Sequence, residues 1–88
     1  MILHVGGDKL VRVADVVAIL DREKALASPE SREFLKTARD EGFIVCVSPD
    51  PVKSYVIAEE GRQCRIYASP ITSTTLLRRS QLSAIDAI

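Results

Sequence analysis

The sequence predicts an α+β fold: a small twisted antiparallel or mixed sheet of about six short strands, with one main helix and a short C-terminal helix. Three observations predict it. Short β-branched runs recur between glycine- and proline-rich breaks, the pattern of strands joined by turns. One stretch, Ser28–Gly42, carries a capping serine, a proline at its first helical position and a terminal glycine. The unit Arg62–Arg79, RQCRIYASPITSTTLLRR, reads as a strand, a proline corner, capping hydroxyls and a helix ending in two arginines.

The chain has 88 residues, so a single domain over 1–88 is the default, with 82–88 as a tail that is frayed or docked on an oligomer neighbour. A hydrophobic fraction of 47% with 27% charged residues belongs to a globular chain. The longest apolar run, Val16–Leu20, is far short of a membrane span, so no membrane partner is expected. The start, MILHVGG, has neither a basic region nor a small-residue cleavage site; no secretory signal is expected, and the expected compartment is cytoplasmic. Lys plus Arg equals Asp plus Glu at 12 each, so a nucleic-acid role requires charge polarised onto one face.

Ile2–Val5 and Lys9–Val13 read as a hairpin around Gly6-Gly7-Asp8. A phosphate loop needs more glycines and a following helix, and here a strand follows. Val16–Leu20 reads as a strand buried on both faces. Asp15 and Asp21 flank it on the order of 20 Å apart at the strand rise, too far for a carboxylate pair, so they read as solvated ends. Asp21–Ala27 is polar, then weakly helical, and reads as a connection. In Ser28–Gly42, Phe34, Leu35 and Ala38, with Ser31, form a narrow apolar stripe. The remaining charged face is mixed in sign and reads as solvated.

Phe43–Val47 is a second buried-strand run, and Ser48–Pro51 breaks it. Lys53–Ala58 and Gln63–Ala68 pair through Glu59–Arg62. Alternation places Cys64, Ile66 and Ala68 on the core face and Arg65 and Tyr67 on the other. An exposed aromatic beside arginine, with Tyr55 in the partner strand, suits base stacking, a subunit interface or simple cross-strand packing. Thr72 or Ser73 caps the last helix, and Leu76 and Leu77 anchor it. Arg78 and Arg79 fall off the leucine side; they complement the helix dipole, and they also suit phosphate contact.

Cys46 and Cys64 lie outside any Cys-x-x-Cys pair, and His4 is the one histidine, too few ligands for zinc. Both cysteines sit in apolar runs and are expected to be small buried hydrophobes. No nucleophile–base pair is visible, so neither catalytic residues, nor a cofactor, nor a small-molecule substrate is expected.

The pieces I-L-H-V-G-G-D, D-V-V-A-I-L-D, E-F-L-K and above all I-Y-A-S-P-I-T-S-T-T-L-L-R-R resemble the bacterial extracellular matrix regulatory proteins of the RemA/RemB family, the B type more closely. The resemblance runs to about Ser80 and is most specific at S-P-I-x-S-x-T-L-x-x-R. It implies a regulator of biofilm matrix genes that assembles into rings and grips double-stranded DNA through repeated basic residues. Two departures from the A type stand out: Pro49–Lys53 replaces an arginine-bearing loop, and Asp15 replaces an arginine. From charge and expected exposure, the candidate nucleic-acid-binding residues are Lys53, Arg62, Arg65, Arg78 and Arg79. The alternative is an oligomeric module that partners another regulator without touching DNA.

Overall fold

Six strands divide between two sheets. The computed structural model describes the backbone of residues 1–86 and the side chains of residues 1–80. The expectation for the tail 82–88 therefore lies outside the residues whose side chains are described.

Strands β1 (Ile2–Gly6) and β2 (Lys9–Arg12) form an antiparallel hairpin. The turn is a hairpin turn, as its glycines predict. A Cβ at Gly6 would lie 2.8 Å from the Pro70 ring, and its φ of +121° suits glycine alone. The hairpin turn thus presses directly on the Ser69-Pro70 corner. A 3-10 turn at Val13–Asp15 leads into β3 (Val16–Asp21).

Two helices follow, α1 (Arg22–Ala27) and α2 (Pro29–Asp40). The segment expected as a connection is thus largely helical. Asp21 explains this: its carboxylate accepts the Lys24 backbone N–H at 3.0 Å and caps the first turn. Ser28 caps α2 as expected, its Oγ accepting from Ser31 N, and Pro29 opens the helix. Gly42, at φ +81°, ends it with a residue that tolerates the left-handed region.

Strand β4 (Ile44–Cys46) runs parallel to β6 (Gln63–Ser69), while β5 (Ser54–Glu60) pairs antiparallel with both β3 and β6. The sheet order is β3-β5-β6-β4, so α1 and α2 carry the chain across one face, from one edge strand to the other. The last helix, α3, spans Ser73–Asp86; Thr72 Oγ1 accepts from Thr75 N and caps it.

Both faces of the four-stranded sheet are covered, by different layers. One face carries Val56, Ala58 and Tyr67 and is sealed by Leu3, Val5 and Val11 of the hairpin and Leu76 of α3. The other carries Ile66 and packs on Ala25, Leu35 and Ala38 of α1 and α2. This corrects the assignment of Tyr67 to an exposed face: the alternation is right, but its face has a cover, and Tyr67 is 5% exposed.

Three further expectations change. Val17, expected buried, is 63% exposed, because β3 is an edge strand with a register shift between Val16 and Ala18. Phe43 and Cys46 are exposed and Cys64 is half-buried, because β4 is a short edge strand that the helices cover only in part. Leu76 anchors α3, but Leu77 is exposed.

Candidate functional site

The Ser69-Pro70 corner ties the hairpin to the sheet. Ser69 Oγ donates to the Val5 carbonyl at 2.6 Å and accepts the Ile71 N–H at 3.0 Å. Ser54, directly opposite Ser69 in the ladder, donates to the Ile71 carbonyl at 2.6 Å. Both serines are fully buried, and both are bonded, as buried hydroxyls must be to avoid a desolvation cost of a few kcal/mol, on the order of 1–3.

The five candidate cations do not come together. Lys53 lies just before β5; its carbonyl accepts from Arg22 N at 3.1 Å, and its own N–H donates to Ser69 O at 2.8 Å. Arg62 lies in the turn at the opposite end of the β5–β6 hairpin, about 25 Å away at the strand rise. Arg65 shares that end, but its Nε sits 3.2 Å from Glu60 Oε1, and its guanidinium donates to Gln63 Oε1 at 2.7 Å. Arg78 and Arg79 are exposed on α3.

Glu60 also accepts the Tyr67 hydroxyl at 2.7 Å. Burial first, then this hydrogen bond to a carboxylate, push the Tyr67 phenol from 10.0 up to about 12. Tyr67 is therefore a neutral core side chain whose polar end finds a partner at the sheet rim, and it offers no face to a base. Tyr55 lies on the other side of the sheet, half-buried.

A different set of cations is gathered. Arg22 at the start of α1 and Arg32, Lys36 and Arg39 along α2 line one groove of about 470 Å³. Its floor is Tyr55, Leu26 and Leu35, and Cys46 stands in its wall. No carboxylate lines it. Among the described residues the one ion pair is Arg65–Glu60, so none of the four is paired with an acid there.

The helix periodicity explains the sorting. Residues 32, 36 and 39 share one flank of the Leu35–Ala38 stripe, while Glu33 and Asp40 fall beside Lys36, farther from the stripe. The charged face of α2 is mixed in sign and exposed, as expected, and its cations Arg32, Lys36 and Arg39 occupy the edge that borders the groove. The helical period alone carried that signal; the contribution of Arg22 and the floor from β5 did not show, because they arrive from other elements. Lys53 joins this region, lining with Arg22 a smaller neighbouring depression.

Besides Val17 and Leu77, large apolar side chains are exposed in pairs at two separate places. Ile2 and Leu10 stand on the outer face of the hairpin, with Leu10 62% exposed. Phe34 and Phe43 flank a second patch beyond α2, with Cys64 and Ile66 beneath them. Among the described residues no helix is long and apolar enough to cross a membrane.

A family model described as RemA-like, extracellular matrix regulatory protein A-like, matches residues 2–79. The extracellular matrix regulatory protein B of Bacillus subtilis (strain 168) is 38% identical over 81 residues, which cover 92% of this chain and 91% of that protein.

Proposed function

The chain belongs to the RemA-like family of extracellular matrix regulatory proteins, and from that membership we propose that it is a cytoplasmic, ring-forming, DNA-binding transcriptional regulator of biofilm matrix genes. It acts by binding rather than by catalysis. The observation that carries the reading is the family match over residues 2–79, a span that includes Lys53, Arg62, Arg65, Arg78 and Arg79.

Physical arguments support each part. The two exposed apolar patches, on the hairpin and beyond α2, lie on different elements. Two unlike patches suit a head-to-tail contact, the type that closes into a ring when the rotation permits. A subunit with 12 cations and 12 anions has little net attraction for DNA. Repetition around a ring lets one or two weak phosphate contacts per subunit act together. Arg62, Arg78, Arg79 and Lys53 are exposed and supply such contacts, whereas Arg65 is held by Glu60.

Light scattering after size exclusion, with and without a long duplex, tests the reading. The expected result is a closed oligomer whose DNA affinity falls steeply with salt, each phosphate contact adding about −0.9 to the log–log slope. The double substitution Arg78→Glu, Arg79→Glu should weaken binding for every duplex sequence alike. An oligomer with no affinity for DNA at low salt would favour the second reading, a module that partners another regulator. A monomer at high concentration would end both.

A further inference from the structure

We propose that the groove between α1, α2 and the sheet is a binding site for a small phosphorylated aromatic ligand of the nucleotide class. The proposal goes beyond the regulator reading and does not depend on it.

Four features of the groove specify that chemistry. First, Arg22, Arg32, Lys36 and Arg39 converge on one concavity with no carboxylate in its lining. In a chain of zero net charge, a lining of four cations and no acid is a local excess of positive charge; Glu33 and Asp40, beside Lys36 on α2, are not among the lining residues. Second, the arrangement carries a local cost. Arg32 and Lys36 are a like-charge i, i+4 pair, an unfavourable neighbour relation in a helix. An anion seated between them removes that repulsion. Arginine forks pair bidentately with phosphate oxygens, and a phosphate or diphosphate carries enough oxygens and charge to engage several of the three guanidinium groups and the ammonium at once, which a single carboxylate does not.

Third, the floor is apolar and aromatic. Tyr55, Leu26 and Leu35 offer a surface for a flat ring, and a base presents a π-face that stacks on an aromatic side chain. A phosphate alone would leave that floor wet; an apolar ligand alone would strand the cations. Fourth, the volume of about 470 Å³ falls within the range of small-ligand sites, roughly 300–1,000 Å³. The groove is bounded by α1 and α2 on one side and by β4 on the other.

Cys46 provides the readout, because its exposed thiol stands in the groove wall. The full chain carrying Cys64→Ser leaves Cys46 as the one thiol, and its reaction with neutral iodoacetamide is timed with and without ADP. ADP is expected to slow alkylation strongly, with adenosine or pyrophosphate alone far weaker. Adding Arg32→Glu and Lys36→Glu should raise the ADP concentration needed by about tenfold or more, equivalent to about 1.4 kcal/mol. Circular dichroism checks that these exposed substitutions leave the fold intact.

Four results would overturn the proposal. The first is no protection by millimolar ADP. The second is protection that survives the double charge reversal. The third is a Cys46 that stays unreactive without ligand until the protein is diluted, which assigns the groove to contact with a second copy. Protection by duplex DNA but not by ADP also overturns it, and assigns the groove to the nucleic-acid surface. DNA affinity, measured on the same samples, reports separately on the regulator reading.

Discussion

The two faces of the four-stranded sheet are built from the same two central strands and end differently. On one face, Val56, Ala58 and Tyr67 meet the hairpin and Leu76, and every polar atom drawn in has a partner: Ser54, Ser69 and the Tyr67 hydroxyl are all bonded. On the other face, α1 and α2 cover only the middle, and a cation-lined groove stays open beside Tyr55. The difference lies in the covering element. The hairpin is held against the sheet at Gly6 and Ser69, whereas the two short capped helices leave a groove at their margin. Sealed surface is spent on stability; the open margin is where a ligand or partner has room.

That contrast can be broken most directly by cavity formation. Leu76→Ala removes a fully buried side chain from the sealed face and should cost about 2–5 kcal/mol. Leu35→Ala, on the groove floor, should fall at the bottom of that range, because water fills the enlarged groove instead of leaving a void. Urea denaturation of the two variants decides it; equal costs would mean that the second face is as closed as the first.

A smaller effect is expected at the corner. Ser69→Ala strands the Val5 carbonyl and the Ile71 N–H, at a cost of about 1–3 kcal/mol. The same loss at an exposed hydroxyl such as Ser48, bonded to Asp50, should be near zero. Thermal melts of both variants sharpen the distinction between buried and exposed hydroxyls.

The smallest effect belongs to Tyr67→Phe, about 0.5–1.5 kcal/mol for the lost bond to Glu60. Its signature is in pH. The Tyr67 phenol is raised from 10.0 to about 12, so folding favours the neutral form. That contribution is fully present below pH 10 and is lost as pH rises through about 12. Stability of the parent protein should decline over that window more steeply than that of Tyr67→Phe, and identical alkaline profiles would remove Tyr67 as the cause.

Much of this architecture was written locally. The Ser28-Pro29 cap and the Gly42 stop follow from backbone chemistry within one turn, and the Gly6-Gly7 hairpin from the φ > 0 positions it needs. Alternation placed Ile66 and Ala68 opposite Arg65 and Tyr67, which is how the sheet has them. The Asp21 cap is equally local: six residues are enough for a helix when an aspartate satisfies its first free N–H and α2 packs against it.

The sequence by itself determined where helices start and stop, which strands are possible and which side chains share a face. Those properties depend on bonds and periods spanning four or five residues. Only the tertiary structure decided that both faces of the sheet are covered, that β3 and β4 are edges, and that Arg22 stands beside Arg32, Lys36 and Arg39 over Tyr55. Burial and charge convergence depend on which distant element arrives above a residue, and no local period encodes that arrival.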